Sequence, residues 1–149
     1  MTSKPKVPGE YFISTVSTGG SKAPLSGQYL DANPVVDGTA SVNFESSGDV
    51  LYAIDNDGKL LLSTSYADIV LIGPGYIDTD DNSILKFGNQ TTFDYAKFTI
   101  DNMSLVSQNP SDEWLWCPVD GSANGTLALG PTAGNGCEKL DAISVVYSD

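Results

Sequence analysis

The chain has no histidine, and its seven basic residues are all lysines. Without histidine there is no Ser-His-Asp or Cys-His machinery and no imidazole for a metal. Without arginine there is no bidentate clamp for carboxylate or phosphate. No glycine-rich loop opens a helix, so nucleotide binding has no footing. No run reaches the ~18–20 apolar residues that span a bilayer. Cysteine occurs twice, and two thiols without histidine do not make a four-ligand zinc site. No cofactor is therefore expected. Any catalysis would have to come from carboxylates, lysines and aromatics.

What is present describes a globular chain with a lightly charged surface. Its 149 residues are 40% hydrophobic and only 17% charged, with serine, threonine, asparagine and glycine filling the polar remainder. This length suits one domain with a real core. The opening "MTSKPKVP" reads as a flexible arm over residues 1–8, which leaves a single domain over 9–149. The net charge of −12 repels phosphate backbones and anionic lipid, so neither nucleic acid nor membrane insertion is expected. The charged start lacks the apolar stretch of a signal peptide. Either the chain is cytosolic or Met1 stands where a leader has been removed. The second reading is favoured by the cysteines and the asparagine motifs below.

No window keeps a helical apolar rhythm, and glycine and proline interrupt every few residues. Short β-rich runs recur instead, among them "YFISTVS", "LSGQYLDA", "SVNF", "VLYAI", "KLLLSTS", "ILKFG", "AKFTI", "MSLVS", "EWLWCPV", "TLALG" and "AISVVYS". About a dozen short strands with regular punctuation predict an all-β sandwich or barrel. "LYAIDNDGKLLL" reads as a hairpin in which Asp57-Gly58 supplies the positive backbone angles of a tight turn. "AKFTIDNMSLVS" echoes it about 46 residues later, and "YFISTVSTGGSKAPLSG" is a degenerate third copy. That spacing places a β-trefoil slightly ahead of a two-sheet sandwich.

Cys117 and Cys137 are an even pair beside turn material. They are either buried free thiols or a disulfide, and the disulfide is favoured because nothing else in the chain could use the sulfurs. Asn89, Asn102 and Asn124 each open an Asn-x-Ser/Thr acceptor for N-glycosylation, which supports a secretory route. "IDTDDNS" gathers the oxygen ligands Asp78, Asp80, Asp81 and Asn82, a candidate calcium loop without EF-hand spacing. A plain solvated turn is the favoured alternative. Asp112 with Glu113, or Asp78 with Asp80 and Asp81, are the nearest approach to a glycosidase pair. Adjacent acids on a strand point to opposite faces, so no catalytic residues are assigned.

Trp114 and Trp116 share one face of an extended segment, and Leu115 and Cys117 share the other. If Cys117 is disulfide-bonded, its face points inward and the tryptophans point outward or lie under a loop. Exposed there, they would form a platform for sugar rings. The opposing reading makes at least one of them core.

Several of these stretches together resemble the PhiA-like secreted fungal cell-wall proteins, a family that includes proteins described as IgE-binding. The family's opening strand pair is similar to "YFISTVSTGGSKAPLSG". Its central hairpin of the form VYV-x-x-D-G-x-L is similar to "VLYAIDNDGKLLLST". Its aromatic, "CP" dipeptide and late cysteine are similar to "WLWCPVDG" and "GCEKLDAISVVY". The likeness is loose and runs over most of the chain. It fails at "YIDTDDNSILKFGNQ", and upstream cysteines of some members are absent here. The resemblance implies a secreted, wall-associated, non-catalytic structural or adhesive protein. The rival reading is a secreted carbohydrate-binding module or lectin-like effector. In either case the expected partner is cell-wall polysaccharide or a surface glycan.

Overall fold

The computed structural model describes residues 11–19, 25–36, 39–46, 50–63, 71–72, 74–81, 83–109, 113–119, 122–130 and 136–147. The arm expected at 1–8 lies outside them. The described residues hold fourteen strands and no α-helix: β1 (Phe12–Ser17), β2 (Tyr29–Val36), β3 (Thr39–Glu45), β4 (Leu51–Ile54), β5 (Leu60–Ser63), β6 (Leu71–Ile72), β7 (Gly75–Asp78), β8 (Ile84–Phe87), β9 (Lys97–Asp101), β10 (Ser104–Asn109), β11 (Trp114–Val119), β12 (Ser122–Leu129), β13 (Glu138–Lys139) and β14 (Ala142–Tyr147). Every pairing between them is antiparallel, and together they form an open sheet.

The main path of the sheet runs β13-β11-β12-β8-β3-β2-β1-β14-β10-β9. Two strands have a divided edge. One side of β1 lies along β14 from Phe12↔Tyr147 to Ser17↔Ala142, while its other side is shared by β2 at Thr15 and β4 at Phe12. One side of β8 lies along β7, and its other side is shared by β3 and β12. The first and last described strands are thus direct neighbours.

The alternation read from the sequence is visible in β3, where Ala40, Val42 and Phe44 are buried and the residues between them are half-exposed. Their buried face meets Phe12, Leu30, Leu62, Phe87, Leu129 and Ile143 in the main core. β4 departs from alternation, since Leu51, Tyr52 and Ala53 are all buried. Tyr52 stacks on Phe12 with ring centroids 5.9 Å apart and donates its hydroxyl to Leu30 O at 2.8 Å. Burial, helped by the negative charge of Asp31, holds its phenol above the ordinary tyrosine range.

The two hairpins expected from the sequence form, but with different turns. In β4–β5, Gly58 has φ +83° and Asp57 is not left-handed, so a single positive-φ residue closes the turn rather than an Asp-Gly pair. Asp55 organises it: its Oδ1 accepts from the amides of Asp57 and Lys59, both at 2.9 Å, and its carbonyl accepts from Gly58 N. In β9–β10, Asn102 and Met103 are both left-handed, at φ 56° and 61°. Two such residues suit the twist of a two-residue hairpin. Asn102 tolerates this conformation through its short polar side chain.

"NPVV" belongs to β2, where a register shift between Ala32 and Val35 admits Pro34. A bulge is where a strand tolerates a residue that cannot donate to the ladder. Likewise "SANG" is the first half of β12, opposite a shift between Cys117 and Val119.

Candidate functional site

The stretch Trp114–Cys117 lies in β11, between β12 and the short β13. Cys117 and Cys137 are joined by a disulfide. Leu115, Cys117 and Ala128 form a small buried cluster with Cys137 packed against it, separate from the main core. The tryptophan face of β11 is the one that meets the main core. This corrects the expectation that the tryptophans would point outward or lie under a loop, and it agrees with the reading that at least one of them is core. Both faces of β11 are covered, because β11 lies over two apolar clusters.

Trp114 is 4% exposed. Its ring stacks on Phe98 with centroids 6.0 Å apart, and its Nε1 donates to Leu105 O at 3.0 Å. A sugar platform needs an open ring face, and Trp114 has none to offer. Trp116 is half-buried at the core's margin. Gly125, at φ +70°, packs directly on its indole, and a Cβ there would overlap Trp116 Nε1 and stand 2.7 Å from Cys117 O.

The acidic stretch is the turn between β7 and β8. Asp78 Oδ1 caps the amide of Asp80, Asp78 O accepts from Asp81 N, and Ser83 closes the turn at φ 59°. The candidate calcium position is taken by a cation the chain itself supplies. Lys86 Nζ lies 2.8 Å from Asp78 Oδ2 and 2.8 Å from Asp81 Oδ2. Asp80 is exposed, and Asn82 lies outside the described residues. Among the described residues no three acids or cysteines converge on a metal position. Partial burial alone would lower the Lys86 pKa, but hydrogen bonds and charge from Asp78 and Asp81 outweigh it and raise the pKa.

The other acids do not form a described catalytic pair. Glu113 faces Lys139 at 3.5 Å across β11–β13, and Asp112 lies outside the described residues. Asp78 and Asp81 have the Lys86 ammonium between them, where a hydrolytic pair would need water or a sugar oxygen.

The sequence reading missed an aromatic group assembled from two segments. Phe93 stacks on the buried Tyr76 with centroids 6.0 Å apart and planes 8° from parallel, and Tyr95 meets Tyr76 edge-on. Lys59 Nζ sits 5.1 Å above the Tyr95 ring. Gln90 shapes the segment: its Oε1 accepts from Phe93 N at 2.7 Å and its Nε2 donates to Phe93 O at 2.8 Å. Its own amide donates to Tyr95 Oη at 3.1 Å. Phe93 and Tyr95 are half-exposed. The local signal was the short spacing of Gln90, Phe93 and Tyr95, but Tyr76 and Lys59 arrive only through the fold.

Of the acceptor asparagines, Asn89 and Asn102 are exposed on turns, and Asn124 lies within β12. No described helix is long and apolar enough to cross a membrane. No family model, no curated protein and no solved structure matches the chain.

Proposed function

We propose that this is a secreted, non-catalytic structural or adhesive protein of a cell wall or cell surface. The observation that carries the reading is the Cys117–Cys137 disulfide, a bond that persists in oxidising compartments and is rare in the cytosol. The low density of charge and the exposed Asn89 and Asn102 support the same route. Resemblance to the PhiA-like proteins supports the wall. On topology we favour a β-trefoil over a sandwich. First-to-last pairing of β1 with β14 and the recurrence of Ile-Asp-Asn in the β4–β5 and β9–β10 hairpins support that choice.

Fractionation of the source cells under thiol-blocking conditions tests the function. The protein is expected in the wall and medium, with both cysteines oxidised and no turnover of chromogenic glycosides. Recovery from the cytosol alone with free thiols overturns the reading. So does glycoside turnover that disappears in Glu113→Ala or Asp80→Ala.

A second reading, glycan binding, is favoured by the half-exposed Phe93 and Tyr95 beside Lys59, since aromatic faces stack on sugar rings. It moves the candidate platform away from Trp114. A soluble-glycan array separates the two: a specific hit lost in Tyr95→Ala would establish a lectin, and a blank array would leave a passive component.

A further inference from the structure

The three glycosylation motifs look equivalent in the sequence but occupy unlike positions in the fold. We infer that Asn89 and Asn102 carry N-linked oligosaccharide and that Asn124 stays bare. The inference rests on the secretory reading for its setting and on geometry for its choice among sites.

Transfer to asparagine is a displacement. The amide Nδ2 attacks the anomeric carbon of a polyprenyl-pyrophosphate-linked oligosaccharide. The C1–Nδ2 bond forms, the C1–O bond to pyrophosphate breaks, and the amide proton leaves with the lipid pyrophosphate. No redox partner is needed. The motif must present its asparagine and its hydroxyl residue to the transferase together, and the product must tolerate a bulky, hydrated group.

Asn89 meets both requirements. It follows the end of β8, and Asn89, Thr91 and Thr92 are all exposed while Gln90 ties the segment down through Phe93 and Tyr95. Asn102 is exposed at the tip of β9–β10 beside Met103, which is 48% exposed, and its hydroxyl residue Ser104 is half-buried at the start of β10 rather than sealed in the interior. A sugar on either asparagine projects into water and displaces no packed atom.

At Asn124 the next two residues of the motif are committed to the interior. Gly125 is buried at φ +70° against the Trp116 indole. Thr126 is 4% exposed, and its Oγ1 donates to Val42 O of β3 at 2.6 Å. Once β12 has docked, the hydroxyl that the transferase must engage is sealed between strands far apart in the chain. The Cys117–Cys137 bond ties β11, the hairpin partner of β12, to the segment that leads into β13.

The test is to send the full chain through the secretory pathway of a glycosylating host on a supplied leader. Each site is then scored by peptide mapping after enzymatic removal of glycan, which converts an occupied Asn to Asp. Conversion at Asn89 and Asn102 with Asn124 unchanged is the expected pattern. Conversion at Asn124 in the disulfide-bonded product, or none at Asn89 or Asn102, overturns the inference. A Cys137→Ser chain, read the same way whether or not it folds fully, should gain glycan at Asn124. If Asn124 stays bare there too, folding is not what closes the site and the inference fails. The protein from its source cells, mapped in parallel, decides the secretory reading separately, because the leader-driven arm does not depend on natural export.

Discussion

Gly125 shows how much one residue can be asked to do. It sits at φ +70°, where an L side chain is strained, and any Cβ would run into the Trp116 indole and the backbone of Cys117. Gly27, at φ +88°, has the same backbone demand but nothing within 4 Å of the added carbon. The pair separates conformational cost from overlap. Gly27→Ala should cost about 1–2 kcal/mol for the left-handed backbone alone. Gly125→Ala should cost that plus about 1–3 kcal/mol of overpacking. Urea denaturation of both variants checks this, and equal losses would mean the indole yields freely. Trp114 was visible in the sequence as half of an alternating pair, but not as the buried partner of Phe98. That contact joins β11 to β9, and neither strand's local pattern contains it.

At the scale of elements, the turn between β7 and β8 is the clearest case of a motif read too narrowly. Four oxygen-bearing side chains in "IDTDDNS" resemble a cation loop. The cation present is Lys86, carried by the returning strand and hydrogen-bonded to Asp78 and Asp81. Its pKa is raised above 10.5 by those partners against the opposing effect of burial. Folding therefore favours the protonated lysine. Its contribution is fully present below the unfolded value of 10.5 and is lost as pH rises through the higher folded value. The stability gap between the native chain and Lys86→Gln should hold steady from neutral pH and narrow above that value. A gap that stays constant through the alkaline range would show that the ammonium's charge is not what the turn uses. The two hairpins make a related point. Both share Ile-Asp-Asn, yet Gly58 lets the first close with one left-handed residue, while the second uses Asn102 and Met103.

For the whole molecule, β1 pairs with β14, and β11 pairs with both β12 and β13. The β1–β14 pair must close a long loop before its contacts form, whereas β11–β12 is a local hairpin. The disulfide spans a sequence separation of 20 next to that part of the sheet. By the loop-entropy argument it contributes about 3 kcal/mol. Reduction should lower the urea midpoint accordingly, with tryptophan emission reporting the change because Trp116 adjoins Cys117. An unchanged midpoint after confirmed reduction would mean that Leu115 and Ala128 hold the corner without the bond.

The β class, the β4–β5 hairpin, the pairing of the two cysteines and the alternation of Trp114 with Leu115 were all legible in the residues. Each rests on short-range rules: the two-residue period of a strand, the backbone freedom of glycine, and the count of thiols. Strand period says which side chains share a face, but not which face the core will cover. That choice came from β9 and β10, whose Phe98 and Leu105 received Trp114. The same limit hid Lys86 between its carboxylates, Tyr76 beneath Phe93, and the Thr126 hydroxyl against Val42. All of these contacts join separate strands or segments, so the fold had to form before they could exist.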